Sequence, residues 1–487
     1  MKTMPNWLEK RAYLTPEKEA VITEDGYRMT FNQLRNDAKS VATYLQHSGI
    51  QSGDHVAVLA INSYKMIVLI HALQYIGVVN VLLNTRLSEK EWEFQLSDAR
   101  AKLLIHDPVF KENIKDTVIE TIDMTSIPLD ANVAENLRTT INQEETSHII
   151  YTSGTTGQPK GVQLSYDNHW SSATASALNL GLHNDDRWLL CLPMFHVGGL
   201  SIIYRSVIYG MPIHLFEKFD VEKVHQAIME ENITIISAVS VMAEQMMVRL
   251  GDGKYPDSFR CLLLGGGPAY RSLLEKCQGK NVPVFQTYGM TETASQFSTL
   301  DESHALQKLG SAGKPLFPGE LIIANEGHEV PMGEVGEILV KGPNVTEGYW
   351  NRQKANDTSF ENDWLHTGDL GYLDEDGFLY VLDRRKDLII SGGENIYPAE
   401  IENVLKQHPD IVDAGVVGRN DEKWGHVPVA FVTIKNEALN ETDVIEHCHQ
   451  YLAKYKVPKQ IFFKENLPRN AAKKLMRHLL ADEVPER

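Results

Sequence analysis

The run MIVLIHALQYIGVVNVLL, Met66 to Leu83, is apolar enough to be taken for a membrane span, and how it is read decides what the rest of the chain can become. His71, Gln74 and Asn80 interrupt it, and Gly77 divides it into a helix-favouring first part and a β-branched second part. A helix capped at Gly77 that feeds a buried strand fits this pattern better than a spanning helix. The same order recurs in LSIIYRSVIYGMPIHLF, where Gly210 separates a helical pattern from a strand. Further short apolar runs (HVAVLAI, HIIYTSG, ITIISAV, CLLLGGG and VPVFQTYG) read as buried strands, most of them separated by helix-length amphipathic stretches. Parallel α/β sheets are the expected result.

Beyond about Gly310 the texture changes to strand and turn, as in GEVGEILVKG and GYLDEDGFLYVLDRR, and a separate end-domain is expected to begin there. Helix-like YPAEIENVLKQHP and ETDVIEHCHQYLAKY then alternate with strand-like IVDAGVVG and VPVAFVTI, the pattern of a small α+β unit. A chain of 487 residues exceeds one hydrophobic core, so several structural units are expected. The fold class is therefore α/β: a large N-terminal part with α/β sheets and a small β-rich unit, followed by a small α+β domain.

The formal net charge of −18 argues against a nucleic-acid partner, because a polyphosphate would be repelled on average, whereas a small anion needs only a local nest of donors. The four cysteines, Cys191, Cys261, Cys277 and Cys448, have neither metal nor disulfide spacing, and His447-Cys448-His449 reads as part of a surface helix. MKTMPNWLEKRAYLTPEKEAV lacks the continuous apolar stretch of a secretory leader, so a cytoplasmic location is expected. No integral membrane segment is expected, and the sequence is compatible with a monomer or a homo-oligomer.

YTSGTTGQPKGV, Tyr151 to Val162, packs three glycines, five hydroxyl side chains and a lysine into twelve residues between two strand-like runs. Such a strand-to-strand loop can wrap phosphate oxygens with backbone and hydroxyl donors. It is not a P-loop, since its glycines and lysine are spaced differently and no helix follows. A plain surface loop has the same composition, and other segments must decide.

Those segments are LLLGGGPA, TYGMTET, WLHTGDLGY, LDRRKDLIISGGENIYPAEIE and LPRNAAKKL. With the hydroxyl loop, in this order and over nearly the whole chain, they resemble the adenylate-forming superfamily of acyl-CoA synthetases, luciferases and peptide-synthetase adenylation domains. The resemblance implies ATP, Mg²⁺ and coenzyme A as co-substrates and cofactor, and a reaction in which a carboxylate attacks the α-phosphorus of ATP. It also implies a division at the family's hinge, matched here by Lys386, into an N-terminal adenylation domain of residues 1–385 and a mobile C-terminal domain of residues 386–487.

By the same resemblance, Thr152, Ser153, Thr155, Thr156 and Lys160, with Gly154 and Gly157 in the loop, hold the β- and γ-phosphates. Thr291 contacts the α-phosphate and Glu292 ligates Mg²⁺. Asp369 takes the ribose hydroxyls with Arg384 as its partner, and the adenine lies between Gly266, Gly267 and the Tyr288 ring. Ser391, Gly392 and Gly393 lie near the pantetheine tunnel. Lys474, followed by Leu475, Met476 and Arg477, matches the catalytic lysine, although Lys473 stands where many members have glycine. His196 in LPMFHVGGL matches the side chain at the gate between acyl and thiol sites; a histidine at a helix start is the plainer reading.

Within the superfamily, SALNLGL, SVIYGMP, LLLGGGPA, KLGSAGKPLF and LPRNAAKKL look like the versions found in a branch that activates an aromatic dicarboxylic acid. A second carboxylate calls for donors away from the reacting end. Ser295 is the first candidate, beside Gly289 and His196, and Arg205, equally readable as a solvated surface residue, is the second. Another aryl- or medium-chain acyl-CoA synthetase is the competing reading. A luciferase-like oxidase would share adenylation without thioester formation, and a non-catalytic nucleotide-binding protein would not need Glu292 or Lys474.

Overall fold

In the computed structural model, which describes residues 2–115, 117–130, 136–152, 159–266, 269–384, 387, 389–391, 394–396, 398–421, 424–452, 454–469 and 475–485, the run from Met66 to Leu83 forms the helix Tyr64–Ile76 and the strand Val79–Leu82. Ser63 caps the helix by accepting from the Met66 N–H, and Gly77 ends it in the left-handed region at φ 82°. Every side chain from Met66 to Ile76 is buried, partly against the helix Phe31–His47. Burial on all faces is what gives this helix the look of a membrane span in sequence. No described helix is long and apolar enough to cross a membrane.

The second such unit has the helix Val197–Tyr209, Gly210 at φ 73° and the strand Ile213–Leu215. Here Arg11 Nε and Nη2 donate to the carbonyls of Val207 and Ile208 at 2.8 and 2.7 Å, so a distant cation satisfies the helix C-terminus.

One sheet runs in the order Lys160–Ser165, Thr146–Thr152, Val79–Leu82, His55–Leu59, Leu103–His106, Glu120–Asp123. It is parallel except for its first pair, the stems of the hydroxyl loop, which are antiparallel. A second sheet has the parallel core Glu19–Thr23, Ile213–Leu215, Trp188–Leu190, Ile235–Ala238, Cys261–Leu264, Val284–Met290. It continues without a break through antiparallel Ser295–Leu300 and Ser311–Pro315 into Leu379–Arg384, Trp364–Leu373, Gly336–Lys341 and Glu320–Asn325.

That continuity corrects the expectation of a separate end-domain from about Gly310. The strand-and-turn portion is hydrogen-bonded into the N-terminal sheet, because Ser311–Pro315 pairs on both sides. A further sheet of Ile389–Ser391, Glu394–Ile396, Gly425–Ile434, Ile411–Asp421 and Ile461–Phe463 packs on the helices Pro398–Leu405 and Glu441–Tyr451 around its own core of Ile389, Ile401, Leu405, Val416, Val444 and Cys448. In the helix Glu441–Tyr451, Cys448 faces that core, and His447 Nε2 meets the Val404 carbonyl at 2.9 Å.

Candidate active site

Ligands of open α/β sheets bind beyond the carboxyl ends of the strands, and among the described residues Lys160 and Glu292 come near each other there, as do Tyr288 and Asp369. Lys160 faces Thr152 across the antiparallel loop stems, and Gly161 faces Tyr151. Ser153, Gly154, Thr155, Thr156 and Gly157 lie outside the described residues. The outer edge of the strand Lys160–Ser165 takes up a later segment: Val162 bridges Tyr349, the Gln163 N–H donates to Gly348 at 3.1 Å, and the Trp350 N–H donates to Gly161 at 2.7 Å. The same segment reaches the turn Thr291–Thr293 through the Thr346 N–H, 2.8 Å from the Glu292 carbonyl. Lys160, Tyr349 and Glu292 thereby come together, with Lys160 Nζ 4.9 Å from the Tyr349 ring centroid and the Tyr349 hydroxyl 3.1 Å from Glu292 Oε1.

The turn carrying Thr291 and Glu292 is tightly made. Thr293 Oγ1 accepts from the Met290 N–H at 3.0 Å, and Ala294 and Ser295 follow in the left-handed region at φ 50° and 110°. Non-glycine residues there store strain that the surroundings must hold. Ser172 does part of this by donating to the Ala294 carbonyl at 2.7 Å. Gly289 is required by close approach, because a Cβ there would stand 1.9 Å from the Ser295 carbonyl oxygen. Ser295 is thus set beside the strand that carries Tyr288.

Tyr288 and Asp369 meet directly, the tyrosine hydroxyl donating to Asp369 Oδ2 at 2.9 Å with the carboxylate buried. Asp369 is paired in register with Arg384, whose side chain lies outside the described residues. Gly266 follows the strand Cys261–Leu264 at φ 80°, and Gly267 is outside the described residues.

His196 stands at the start of the helix Val197–Tyr209, half-buried against Phe195 with ring centroids 4.6 Å apart. Burial, with the Arg86 cation adding to it, pushes its pKa down to about 4, so the ring is neutral at neutral pH. Gly199 allows the close crossing next to it, since a Cβ there would lie 2.3 Å from the Pro193 carbonyl oxygen.

Arg205 is not the solvated residue that the sequence allows. It is buried at 2% exposure, its guanidinium 5.2 Å from the Trp188 ring centroid and near Tyr209 and Cys261, with Nε and Nη2 lacking hydrogen-bond partners. Trp188 and Cys261 each begin a parallel strand, so Arg205 sits at the end of the sheet away from the crevice that holds Glu292 and Tyr288.

In the C-terminal unit Ser391 is buried and pairs with Glu394 and Gly425. Lys386, Gly392, Gly393 and Lys474 lie outside the described residues, but the neighbours of Lys474 do not. Arg469 bridges Leu475, the Met476 N–H donates to Pro468 at 2.9 Å, and Arg469 Nη2 donates to Asp413 Oδ1 and Oδ2 at 2.8 and 2.6 Å. Burial acts to raise the Asp413 carboxyl, yet Arg469 and Lys406 outweigh it and hold it below the usual range. Arg477 donates to both oxygens of Glu402 at 3.0 and 2.8 Å and to Asp387, next to Lys386, at 3.1 Å.

The sequence reading missed Tyr349, Asp98, Asp413 and Arg469. Each acts on a partner far away in the chain, and nothing local distinguishes such a tyrosine or aspartate. None of the four cysteines offers a nucleophile, since burial pushes every thiol up to about 12.

A family model described as AMP-binding enzyme matches residues 8–350, and one described as AMP-binding enzyme C-terminal domain matches residues 400–474. The chain belongs to the AMP-binding enzyme family. It is 54% identical over 488 residues, spanning 100% of both chains, to 2-succinylbenzoate–CoA ligase of Bacillus anthracis (strain A0248). Among solved structures it is similar to o-succinylbenzoate CoA synthetase from Bacillus subtilis in complex with the acyl-adenylate intermediate OSB-AMP, with a TM-score of 0.95 and 47% identity over 99% of this chain and 98% of that one. The same enzyme in complex with ATP and magnesium ion gives 0.94 and 47% over 98% and 100%.

Proposed function

We propose that the protein is an AMP-forming acid–CoA ligase that activates 2-succinylbenzoate as its acyl-adenylate, releases pyrophosphate, and transfers the acyl group to coenzyme A for menaquinone biosynthesis. The observation that carries this reading is the end-to-end likeness, in sequence and backbone, to a synthetase captured with OSB-AMP. Joint use of ATP and CoA suits a cytoplasmic enzyme.

The residues fit the nucleotide and its cation. Glu292 is a single buried carboxylate, and among the described residues no group of three His, Cys, Asp or Glu side chains is arranged to hold a metal. Mg²⁺ suits such a place, because it keeps several waters and takes one or two carboxylates together with substrate phosphates. When bound, it would screen the charge of the triphosphate.

In the first half-reaction the acid's carboxylate oxygen bonds to the α-phosphorus and the bond to pyrophosphate breaks. Lys160 and the hydroxyl loop hold the leaving phosphates, Thr291 orients the α-phosphate, and Tyr288 with Asp369 fixes the nucleoside. Lys474 supplies a cation where charge builds between the two anions. In the second, the CoA sulfur bonds to the acyl carbon, AMP leaves and the thiol proton is lost. The C-terminal domain turns about Lys386 between the two steps, bringing Ser391, Gly392 and Gly393 toward the pantetheine. Neutral His196 shapes the gate without carrying a charge. Ser295 is the donor proposed for the ring carboxylate.

The reading is tested by measuring pyrophosphate release and thioester formation with 2-succinylbenzoate, benzoates and medium-chain fatty acids, with and without CoA. Thioester formed preferentially from 2-succinylbenzoate supports it; preference for a monocarboxylic acid favours a general acyl-CoA synthetase.

A further inference from the structure

Two groups of opposite charge rest on one neutral side chain. The Tyr349 ring carries Lys160 Nζ at 4.9 Å from its centroid, and the Tyr349 hydroxyl donates to Glu292 Oε1 at 3.1 Å. A lysine and a carboxylate so close to a common neighbour gain by pairing with each other, which would withdraw both from a ligand. Tyrosine can hold both, because its ring face attracts a cation and its hydroxyl satisfies a carboxylate lone pair.

The ring is itself held firmly. Tyr349 is 8% exposed, its N–H donates to Asn356 Oδ1 at 2.8 Å, and its carbonyl accepts from Asn356 Nδ2 at 3.1 Å. The segment after Tyr349 is tied to the stem of the hydroxyl loop through Asp98, which accepts from Tyr151 Oη at 2.7 Å, from Arg352 Nη2 at 2.7 Å and, at its carbonyl, from Trp350 Nε1 at 2.9 Å.

We infer that Tyr349 is a positioning residue of the nucleotide site, its ring setting Lys160 for the phosphates and its hydroxyl setting Glu292 for the divalent cation. This rests on the assignment of Lys160 and Glu292 given above. The two contacts are separable: phenylalanine keeps the ring and loses the hydroxyl, and leucine loses both.

The test is acid-dependent ATP–pyrophosphate exchange, titrated with Mg²⁺ at fixed ATP and with ATP at saturating Mg²⁺. Y349F should raise the Mg²⁺ concentration for half-maximal exchange by about five- to ten-fold, the scale of one hydrogen bond to a charged group, while the KM for ATP at saturating Mg²⁺ moves by less than about two-fold. Y349L should raise both, with the KM for ATP up by about five-fold or more. An unchanged Mg²⁺ titration for Y349F, with its melting temperature near that of the parent, overturns the inference; if Y349L does not fold, Y349F alone decides. E292Q and K160A serve as references. If E292Q leaves the Mg²⁺ dependence intact, or K160A the KM for ATP, the underlying assignment has failed rather than the role of Tyr349.

Discussion

The Tyr288 hydroxyl donates to Asp369 Oδ2 at 2.9 Å, joining the strand Val284–Met290 to the strand Trp364–Leu373 at the crevice proposed for the nucleotide. One carboxylate oxygen is thus committed to the tyrosine. D369N loses the charge and part of the acceptor capacity in a buried place, so the KM for ATP should rise by about ten-fold or more while the KM for the acid stays within about two-fold. Initial rates with each substrate varied in turn check this. Unaltered ATP kinetics would remove Asp369 from the ribose site.

A second expectation concerns acid. His71, His148 and His169 are buried together around Tyr204, and burial pushes His71 down to about 4, His169 to about 3 and His148 well below the usual range. The folded state therefore binds fewer protons than the unfolded chain between these values and about 6.5, so stability rises with pH in that window and is lost as pH falls. Each histidine contributes a slope of up to about 1.4 kcal/mol per pH unit there and almost none above about pH 7.5. Melting temperatures from about pH 5 to 8 should fall steeply on the acid side, and replacing His169 by phenylalanine should flatten that fall. An equally steep profile in the variant would exclude His169 as a source.

Arg205 is a cation buried beneath Trp188 with Nε and Nη2 lacking partners. Replacing a poorly compensated buried charge with an apolar side chain of similar length is often neutral or stabilising by about 1–4 kcal/mol. R205M should therefore unfold at the same or higher denaturant concentration, with the KM for the acid within about two-fold of the parent. A large, selective loss of affinity for the dicarboxylic acid would instead make Arg205 its receptor.

Arg469, which bridges Leu475 on the far side of Lys474 in the chain, is held by Asp413. If Lys474 serves only the first step, as proposed, D413N should slow adenylate formation by about ten-fold or more, and thioester formation from supplied acyl-adenylate far less. Equal losses in both half-reactions would mean that the pair supports the domain and not the lysine.

Much of this was legible in the sequence. The helix–glycine–strand units around Gly77 and Gly210 show in the sequence as periodicity broken by glycine, and the expected strands on either side of the hydroxyl loop are present as the antiparallel pair Thr146–Thr152 and Lys160–Ser165. The β-rich part does not stand apart as the sequence suggests, because the pairing of Ser311–Pro315 with Leu379–Arg384 joins segments about seventy residues apart and leaves no local trace. The sequence leaves Arg205 open between a carboxylate donor and a solvated residue, and only its cover, Trp188, removes the solvated reading. Tyr349 joins Lys160 to Glu292 from far along the chain, a relationship that only the folded backbone displays.

A site built for an acid with a second carboxylate should separate 2-succinylbenzoate from its analogue lacking the ring carboxylate, and kcat/KM for the two, measured as CoA thioester formed, shows whether it does. A site that keeps donors for that group leaves them unpaired with the analogue, so kcat/KM should fall by roughly two to four orders of magnitude. S295A should lower kcat/KM for 2-succinylbenzoate while barely changing it for the analogue. Equal use of the two acids by the parent enzyme would mean that no donors await a second carboxylate.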